Sequence, residues 1–418
     1  MRLGFLPQLW SMSNLPKSNV TDSMIKWLKN LKHLIGAIVA TLVYRYPARN
    51  LKIIGVTGTD GKTTTVHLIY TILKLAGKRT AFVSSIEARI GEREIDTGFH
   101  VTTPNPWLLQ RLLRQMVDEE IEYLVLEATS HGLGQHRLLG CNFQVGVVTN
   151  ITHEHLDYHQ SFEKYKAAKA KLFRGVKIAV LNQDDKHFNY LKRVAKKAKI
   201  VSYGIDKKAD YTPESFKFKT KLPGKYNLYN CLAAIATAKA LGIKDEIIRR
   251  AVAGFLGLSG RLEKIDKGQD FSVFVDFAHT PNGLENVLET LKEEKGKGRL
   301  IVVFGCAGER DKEKRPIMGE IATKMADLVV LTAEDPRSED VDNIIEQIVT
   351  GCKKAGGMEG KTYFQVPDRR EAINFAIQKL TERDDTVVIC GKGHEKSMCF
   401  GKTEYPWSDQ KEVRLALK

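Results

Sequence analysis

Several things are scarce in this 418-residue chain, and each absence excludes a class of protein. Cysteine is sparse. Cys141, Cys231, Cys306, Cys352, Cys390 and Cys399 are widely scattered, with no CxxC pair and no Cys/His cluster at zinc spacing. That excludes a disulfide scaffold and a zinc-ribbon module and fits a reduced, cytoplasmic setting. The N-terminus lacks the charged start, apolar core and small-residue cleavage site of a secretory signal. No apolar run approaches the ~20 residues of a spanning helix. Internal repeats and low-complexity tracts are missing too. Acid is in short supply: 50 Asp plus Glu face 65 Lys plus Arg, a net charge of +15. Such an excess suits polyanionic company, whether nucleotides, nucleic acid, phosphorylated metabolites or an anionic membrane face, and charge alone does not choose among them.

What is present describes an ordinary folded chain. Hydrophobic residues make up 43% and charged residues 28%, and the length accommodates two or three domains. Residues 1–22 are polar and turn-rich and are expected to be poorly ordered. Met24–Tyr46 reads as a helix, with Lys26, Lys29 and Lys32 early and the apolar run Leu34–Val43 behind them. It either packs on the following domain, the preferred reading, or lies as a basic helix on a membrane surface.

After Pro47 the chain alternates short apolar runs with amphipathic stretches, the pattern of an α/β domain with a parallel sheet. Leu51–Val56, Tyr123–Glu127 and Gly146–Asn150 read as buried strands, with helices over Thr64–Ala76 and Trp107–Glu119. Two more helices follow at 227–241 and Lys244–Phe255. A new register starts near Gly260. Strands are expected at Phe271–Asp276, Leu300–Gly305, Leu328–Thr332 and Thr386–Cys390, each followed directly by a polar or glycine-rich loop. In open α/β sheets ligands bind beyond the carboxyl ends of strands, so four such loops mark a site. The expected organisation is a tail and helix (1–48), a central P-loop mononucleotide-binding domain with a mostly parallel sheet (49–258) and a C-terminal Rossmann-like α/β domain (259–418).

The sharpest local signal is Gly55-Val-Thr-Gly58-Thr59-Asp60-Gly61-Lys62-Thr63-Thr64. It follows a strand and opens a helix, the setting in which backbone N–H groups cradle phosphates. Lys62 would reach the terminal phosphates and the Thr63 hydroxyl would ligate Mg²⁺. A strict Walker A motif needs glycine where Val56 stands, so the motif is a variant. Glu127, ending a strand beside this loop, suits a Mg²⁺ carboxylate. His153, His155 and His159 cluster with acids after another strand, which leaves zinc and a Mg²⁺ site with one imidazole both open. By default Lys169, in a basic helical stretch, belongs to a solvated face.

Taken together and in order, these segments resemble the Mur ligase family, in its muramoyl-tripeptide synthetase branch, over roughly residues 50–418. Besides the phosphate loop and the 149–159 segment, the resemblance rests on Thr102-Thr-Pro, Glu127-Ala-Thr-Ser-His-Gly-Leu-Gly-Gln-His-Arg137 and Leu222-Pro-Gly-Lys-Tyr-Asn-Leu-Tyr-Asn230. Ser259-Gly-Arg-Leu-Glu263, Asp276-Phe-Ala-His-Thr-Pro281, Arg310-Asp-Lys-Glu-Lys-Arg-Pro316 and Gly391-Lys-Gly-His-Glu395 complete it.

The resemblance implies an ATP-dependent amide ligase of cell-wall precursor synthesis. An acceptor carboxylate becomes an acyl phosphate, and the amine of an amino acid then displaces phosphate. It further implies ATP and two Mg²⁺ ions as cofactors, with Glu127 on one metal, His155 on the second, and a CO₂-derived carbamate on Lys169 assisting. The nucleotide would be held by residues 58–64 with Asn227, Asn230, Arg261, Asp276 and His279. Thr102, Thr103, Thr129, Gln135 and Arg137 would contact a muramoyl-peptide acceptor. Arg310, Arg337, Gly391 and Glu395 would receive the incoming amino acid, an Arg for its carboxylate and a Glu for an amine pointing to a diamino acid.

Two features depart from the family pattern. Only about fifty residues precede the phosphate loop, where the family carries a uridine-binding domain, so a carrier without UDP, such as a lipid-linked or non-muramoyl acceptor, is the alternative. Asp335 stands where enzymes using meso-diaminopimelate carry Asn, and an anion there is expected to prefer an amine. A nucleotide- or nucleic-acid-binding protein without ligase activity is the remaining reading. No aromatic-basic recognition motif supports it, so no nucleic-acid partner is expected.

Overall fold

The computed structural model describes residues 19–95, 103–152, 154, 156–294 and 296–418, with side chains from residue 30 onward except at 156 and 157. Two sheets organise it. The first has eight strands: β1 (Lys52–Thr57), β2 (Thr80–Val83), β3 (Ala88–Ile90), β4 (Arg93–Ile95), β5 (Tyr123–Glu127), β6 (Phe143–Val148), β7 (Ile178–Asn182) and β8 (Lys199–Tyr203), in the order β4-β3-β2-β5-β1-β6-β7-β8. From β2 to β8 the pairing is parallel, and only the β2–β3 and β3–β4 pairs are antiparallel.

The second sheet has six: β9 (Glu263–Ile265), β10 (Ser272–Asp276), β11 (Leu300–Phe304), β12 (Leu328–Leu331), β13 (Tyr363–Gln365) and β14 (Thr386–Cys390), ordered β13-β12-β11-β14-β10-β9. Its one antiparallel pair is β9–β10. A hairpin of β15 (Ser397–Phe400) and β16 (Thr403–Pro406) follows. The expected α/β class, two parallel-sheet units in succession, is what the chain adopts.

Helices cover both faces of each sheet, which is why β5, β11 and β14 are buried from end to end and largely apolar rather than alternating, with Glu127 and Thr386 as the polar ends of β5 and β14. On one face of the first sheet, α2 (Lys62–Leu75, after α1 at Asn19–Val43) packs with the Lys225–Ala240 and Asp245–Gly254 helices. On the other face lies α3 (Pro106–Asp118). It starts because the Asn105 side chain accepts from Leu108 N at 2.9 Å and Pro106 presets the first helical turn. Leu109, Leu112, Leu113 and Met116, spaced at three and four residues, then bury its inner stripe.

The chain's own elements differ from expectation in two informative places. The first helix runs Asn19–Val43 rather than Met24–Tyr46, ending where Arg45 and Tyr46 adopt left-handed backbone before Pro47. It therefore includes residues 19–22, while the rest of the expected loose segment lies outside the described residues. The strand expected at Gly146–Asn150 instead ends at Val148, because Thr149 and Asn150 turn aside to hold the loop after β1. Among the described residues no helix is long and apolar enough to cross a membrane.

Candidate active site

In the first sheet β1 is central, with β5 on one side and β6 on the other, and ligands collect at such switch points. The loop after β1 is held open by its neighbours. Asn150 Oδ1 accepts from the backbone N–H of Thr59 (3.2 Å) and Asp60 (3.0 Å), and the Thr149 hydroxyl donates to Asp60 O at 2.6 Å. Gly61 turns the chain into α2 with φ +78°, and a Cβ there would lie 2.1 Å from Asn230 Oδ1. Only glycine satisfies both the dihedral and the space. The first N–H groups of α2 therefore face the cavity without competition from a side chain at this turn.

At the foot of this loop Lys62 Nζ donates to Thr59 O at 2.7 Å and stands 4.0 Å from Glu127 Oε1. Thr63 Oγ1 donates to Glu127 Oε2 at 3.0 Å, and Ser85 N donates to the same oxygen at 3.1 Å. Glu127, only 1% exposed, thus closes a ring of hydroxyl, amide and ammonium. Lys169 is not on a solvated face: it is 2% exposed, its ammonium donates to Gly58 O, and it lies 4.5 Å over the Tyr165 ring. Burial, and after it the charge of Lys62, pushes its pKa well below the ordinary lysine value.

The second unit closes the other wall. The Asp60 carboxylate accepts from Asn282 Nδ2 (2.7 Å) and the Thr280 hydroxyl (3.2 Å), tying the phosphate-type loop to the residues beyond β10. The Arg261 guanidinium stacks 4.4 Å over Phe277 and reaches Thr63 Oγ1 at 3.4 Å, while its Nε is buried with no partner. Asp276 accepts from the N–H of Leu262 and Ala278, and burial pushes its pKa up to about 6. Asn230 donates to Asn227 at 3.0 Å. A cavity of about 600 Å³ between the sheets is lined by residues 59–64 with Glu127, Thr129, Asn227, Asn230, Arg261, Asp276, His279 and Glu395.

Beside it Thr103 and Thr129 share a 2.7 Å hydroxyl–hydroxyl hydrogen bond, and Thr129 caps the short helix at Ser130–Gly134. Arg137 Nη1 donates to Thr103 O at 3.1 Å, while Arg137 Nε and Gln135 Oε1 are buried without partners. Thr102 and His155, and with them His153, lie outside the described residues. Among the described residues no three His, Cys, Asp or Glu side chains form a metal-holding group.

The expected amino-acid residues sit at the ends of β11, β12 and β14 rather than on the cavity wall, except for Glu395. Arg310 is exposed in the turn after β11. Arg337 Nη1 donates to Gly308 O at 2.7 Å. Asp335 does not present a bare anion: its Oδ1 accepts from Lys392 Nζ at 2.7 Å and Cys399 N at 2.9 Å. Lys392 also pairs with Glu395 at 2.5 Å. Gly391 passes so close to Glu334 that a Cβ would meet Oε2 at 2.2 Å.

Three buried charged residues escape a reading by motif. Lys314 donates to His279 O at 2.5 Å. Glu154 and Glu334 both have pKa values pushed up to about 7 by burial, an effect that the Lys314 charge opposes. Lys314 lies inside the Arg310–Pro316 segment and Glu334 beside Asp335, but nothing local marks either as facing inward.

A P-loop-type cradle with a buried carboxylate, closed by a second α/β unit, has the architecture of a nucleotide-binding enzyme. The comparisons carry this further. The Mur ligase middle domain matches residues 56–238, and the Mur ligase, glutamate ligase domain matches residues 260–393. The chain is 40% identical over 409 residues to a UDP-N-acetylmuramoyl-L-alanyl-D-glutamate--2,6-diaminopimelate ligase of Geobacillus thermodenitrificans (strain NG80-2), covering 91% of this chain and 82% of that one. It is 38% identical over 415 residues to a UDP-N-acetylmuramyl-tripeptide synthetase of Roseiflexus sp. (strain RS-1), covering 91% and 81%.

A solved diaminopimelate ligase of the same name superposes with TM-score 0.59 at 34% identity, over 88% of this chain and 78% of that one. A Mycobacterium tuberculosis folylpolyglutamate synthase, at 18% identity, shares the fold with TM-score 0.69, over 86% and 92%. The chain belongs to the Mur ligase family, and it is an ATP-dependent enzyme joining an acid to an amino acid.

Proposed function

We propose that the chain adds an amino acid, a diamino acid, to the carboxylate of a muramoyl-dipeptide acceptor during peptidoglycan precursor synthesis. The observation that carries this reading is the ring of Thr63, Glu127 and Lys62 at the mouth of α2, facing Arg261 and His279 of the second unit across one cavity. The reaction requires charge neutralisation at a phosphoryl group and alignment of two reactants. The N–H groups at the start of α2 and Lys62 would hold the β- and γ-phosphates. Asn227, Asn230, Arg261, Asp276 and His279 would hold the rest of the nucleotide.

The donor set fits Mg²⁺. Thr63 and Glu127 supply hard oxygens, one of them charged, which is the partial set Mg²⁺ takes when phosphates and water complete its shell. Bound there, Mg²⁺ would neutralise phosphate charge; Thr63 and Glu127 would hold it, with His155 assigned to a second ion. Lys169, held toward its neutral amine by burial, is suited to combine with CO₂. Its nitrogen would form a C–N bond and release one proton, giving an anionic carbamate where a second cation near Lys62 would be unfavourable. With Mg²⁺ in place, the acceptor carboxylate attacks the γ-phosphorus, ADP leaves, and the amine displaces phosphate from the acyl phosphate.

Thr102, Thr103, Thr129, Gln135 and Arg137 would bind the acceptor. The buried, partnerless Arg137 Nε and Gln135 Oε1 are polar atoms a ligand would satisfy. Arg310, Arg337, Gly391 and Glu395 would bind the amino acid, with Asp335 and Lys392 setting the charge there. In this reading residues 49–258 hold ATP and acceptor and residues 259–418 the amino acid, after the 1–48 segment. The test is phosphate release from ATP across a matrix of acceptors and amino acids, with products read by mass. Release that needs both substrates supports the reading, and release indifferent to the amino acid overturns it.

A further inference from the structure

The inner face of α1 is accounted for: Ala37, Ala40 and Thr41 are buried against α3 and the 138–140 turn, where a Cβ on Gly140 would strike the Thr41 hydroxyl at 2.5 Å. Its outer face is not. Ile35 (54% exposed), Ile38, Val39, Leu42 (52%) and Val43 (59%) stand in the open at a three-and-four spacing, so they form one stripe. Trp107 and Leu139 flank it, and Tyr46 extends it, all exposed.

The segment that carries the stripe is basic in sequence, although Lys52 at its far end pairs with Glu122 at 2.7 Å. From Ser23 to Thr59 the chain carries no Asp or Glu, but it carries Lys26, Lys29, Lys32, Arg45, Arg49 and Lys52. Lys32 is exposed one turn before Ile35, and Arg45 is exposed just past Val43. An apolar stripe with cations at both ends and amphipathic Trp and Tyr at its margin has the chemistry of a lipid–water interface.

We propose that α1 seats this enzyme on an anionic phospholipid surface, with the apolar stripe in the acyl boundary and the flanking cations on the headgroups. No described helix is long and apolar enough to span, so the helix would lie along the surface. A second copy is the poorer occupant. Face-to-face pairing would set Lys32 against Lys32 in one orientation and against Arg45 in the other, like charges both times. The acceptor residue Arg137 is near enough for its charge, after burial, to hold the His33 pKa of α1 below the ordinary histidine value. The docked face would therefore border the expected acceptor side of the site.

The inference stands apart from the substrate assignment and is tested without it. The full chain is sedimented with vesicles of phosphatidylcholine alone or mixed with phosphatidylglycerol, alongside an Ile35→Ser/Leu42→Ser double variant and a Lys32→Glu/Arg45→Glu variant. Thermal unfolding and ATP-dependent phosphate release verify that both variants are folded and active. The expected result is cosedimentation with the mixed vesicles only, weakened by added salt and roughly tenfold or more by either variant. The proposal is overturned if the native chain ignores the anionic vesicles, if the variants bind as well as it does, or if the stripe instead forms a concentration-dependent dimer that the Ile35→Ser/Leu42→Ser change dissolves.

Discussion

Lys392 and Asp335 form a buried ion pair, 2.7 Å from Nζ to Oδ1, linking the loop after β14 to the loop after β12. A carboxylate at position 335 would by itself repel an acidic ligand group and favour an amine. The chain supplies that amine itself from Lys392, so a ligand bound at these loops would meet the combined charge of Asp335, Lys392 and Glu395.

Removing the shared cation should therefore be costly. Lys392→Met removes the cation that the buried Asp335 shares with Glu395 and is expected to destabilise the fold by about 3–5 kcal/mol, the usual penalty for breaking a buried pair from one side. Adding Asp335→Asn should recover part of that loss. Thermal denaturation of the two singles and the double closes the cycle, and strict additivity would show that the residues do not interact.

Lys169→Ala should abolish ligation while leaving nucleotide binding measurable by thermal shift, and added bicarbonate should not restore turnover. Normal activity in this variant would remove Lys169 from the reaction.

Arg337→Ala should raise the KM for the amino acid far more than the KM for ATP, by roughly tenfold to a hundredfold for a lost charge-assisted contact. Steady-state kinetics with each substrate varied in turn measures the split. Equal changes in both would place Arg337 outside the amino-acid pocket.

Glu334 gives a pH prediction with a definite sign. Its folded pKa, pushed up to about 7 by burial, lies above that of a carboxyl group in the unfolded chain. The folded state therefore binds more protons than the unfolded state between the two values, and stability falls as pH rises through that window. Its Oε2 is buried without a hydrogen-bond partner, so the charges of Lys314, Arg369 and Lys392 offset the desolvation of the ionised form only in part. Glu334→Gln should flatten the decline and make the protein more stable than the native chain at pH above about 7, by up to a few kcal/mol. Melting temperatures of both proteins across pH 5 to 8 (about one unfolded-to-folded pKa interval) test it. Parallel curves would mean that Glu334 is not the group responsible.

Features carried by contiguous residues are legible in the order of the amino acids. The strand–loop–helix over Leu51–Ala76 needs only local pattern and glycine chemistry, and it lies where expected. Chemically loaded loops after β10, β11, β12 and β14 are readable because strand ends in a parallel sheet all point the same way. Short strands such as β3, β4, β9 and β13, at three residues each, carry too little periodicity to be found.

The sequence by itself determined the two-unit α/β organisation, the phosphate-type loop and the residue order that marks a Mur ligase. Those depend on local propensity and spacing. Tertiary structure alone decided that Lys169, which reads as a surface lysine, is buried beneath Gly58, that Asp335 is neutralised by a lysine 57 positions away, and that α1 packs one apolar face and bares another. Burial and charge pairing are set by which distant segments meet. Sequence spacing does not record that, so these side chains acquire their chemistry only when the sheets and helices close around them.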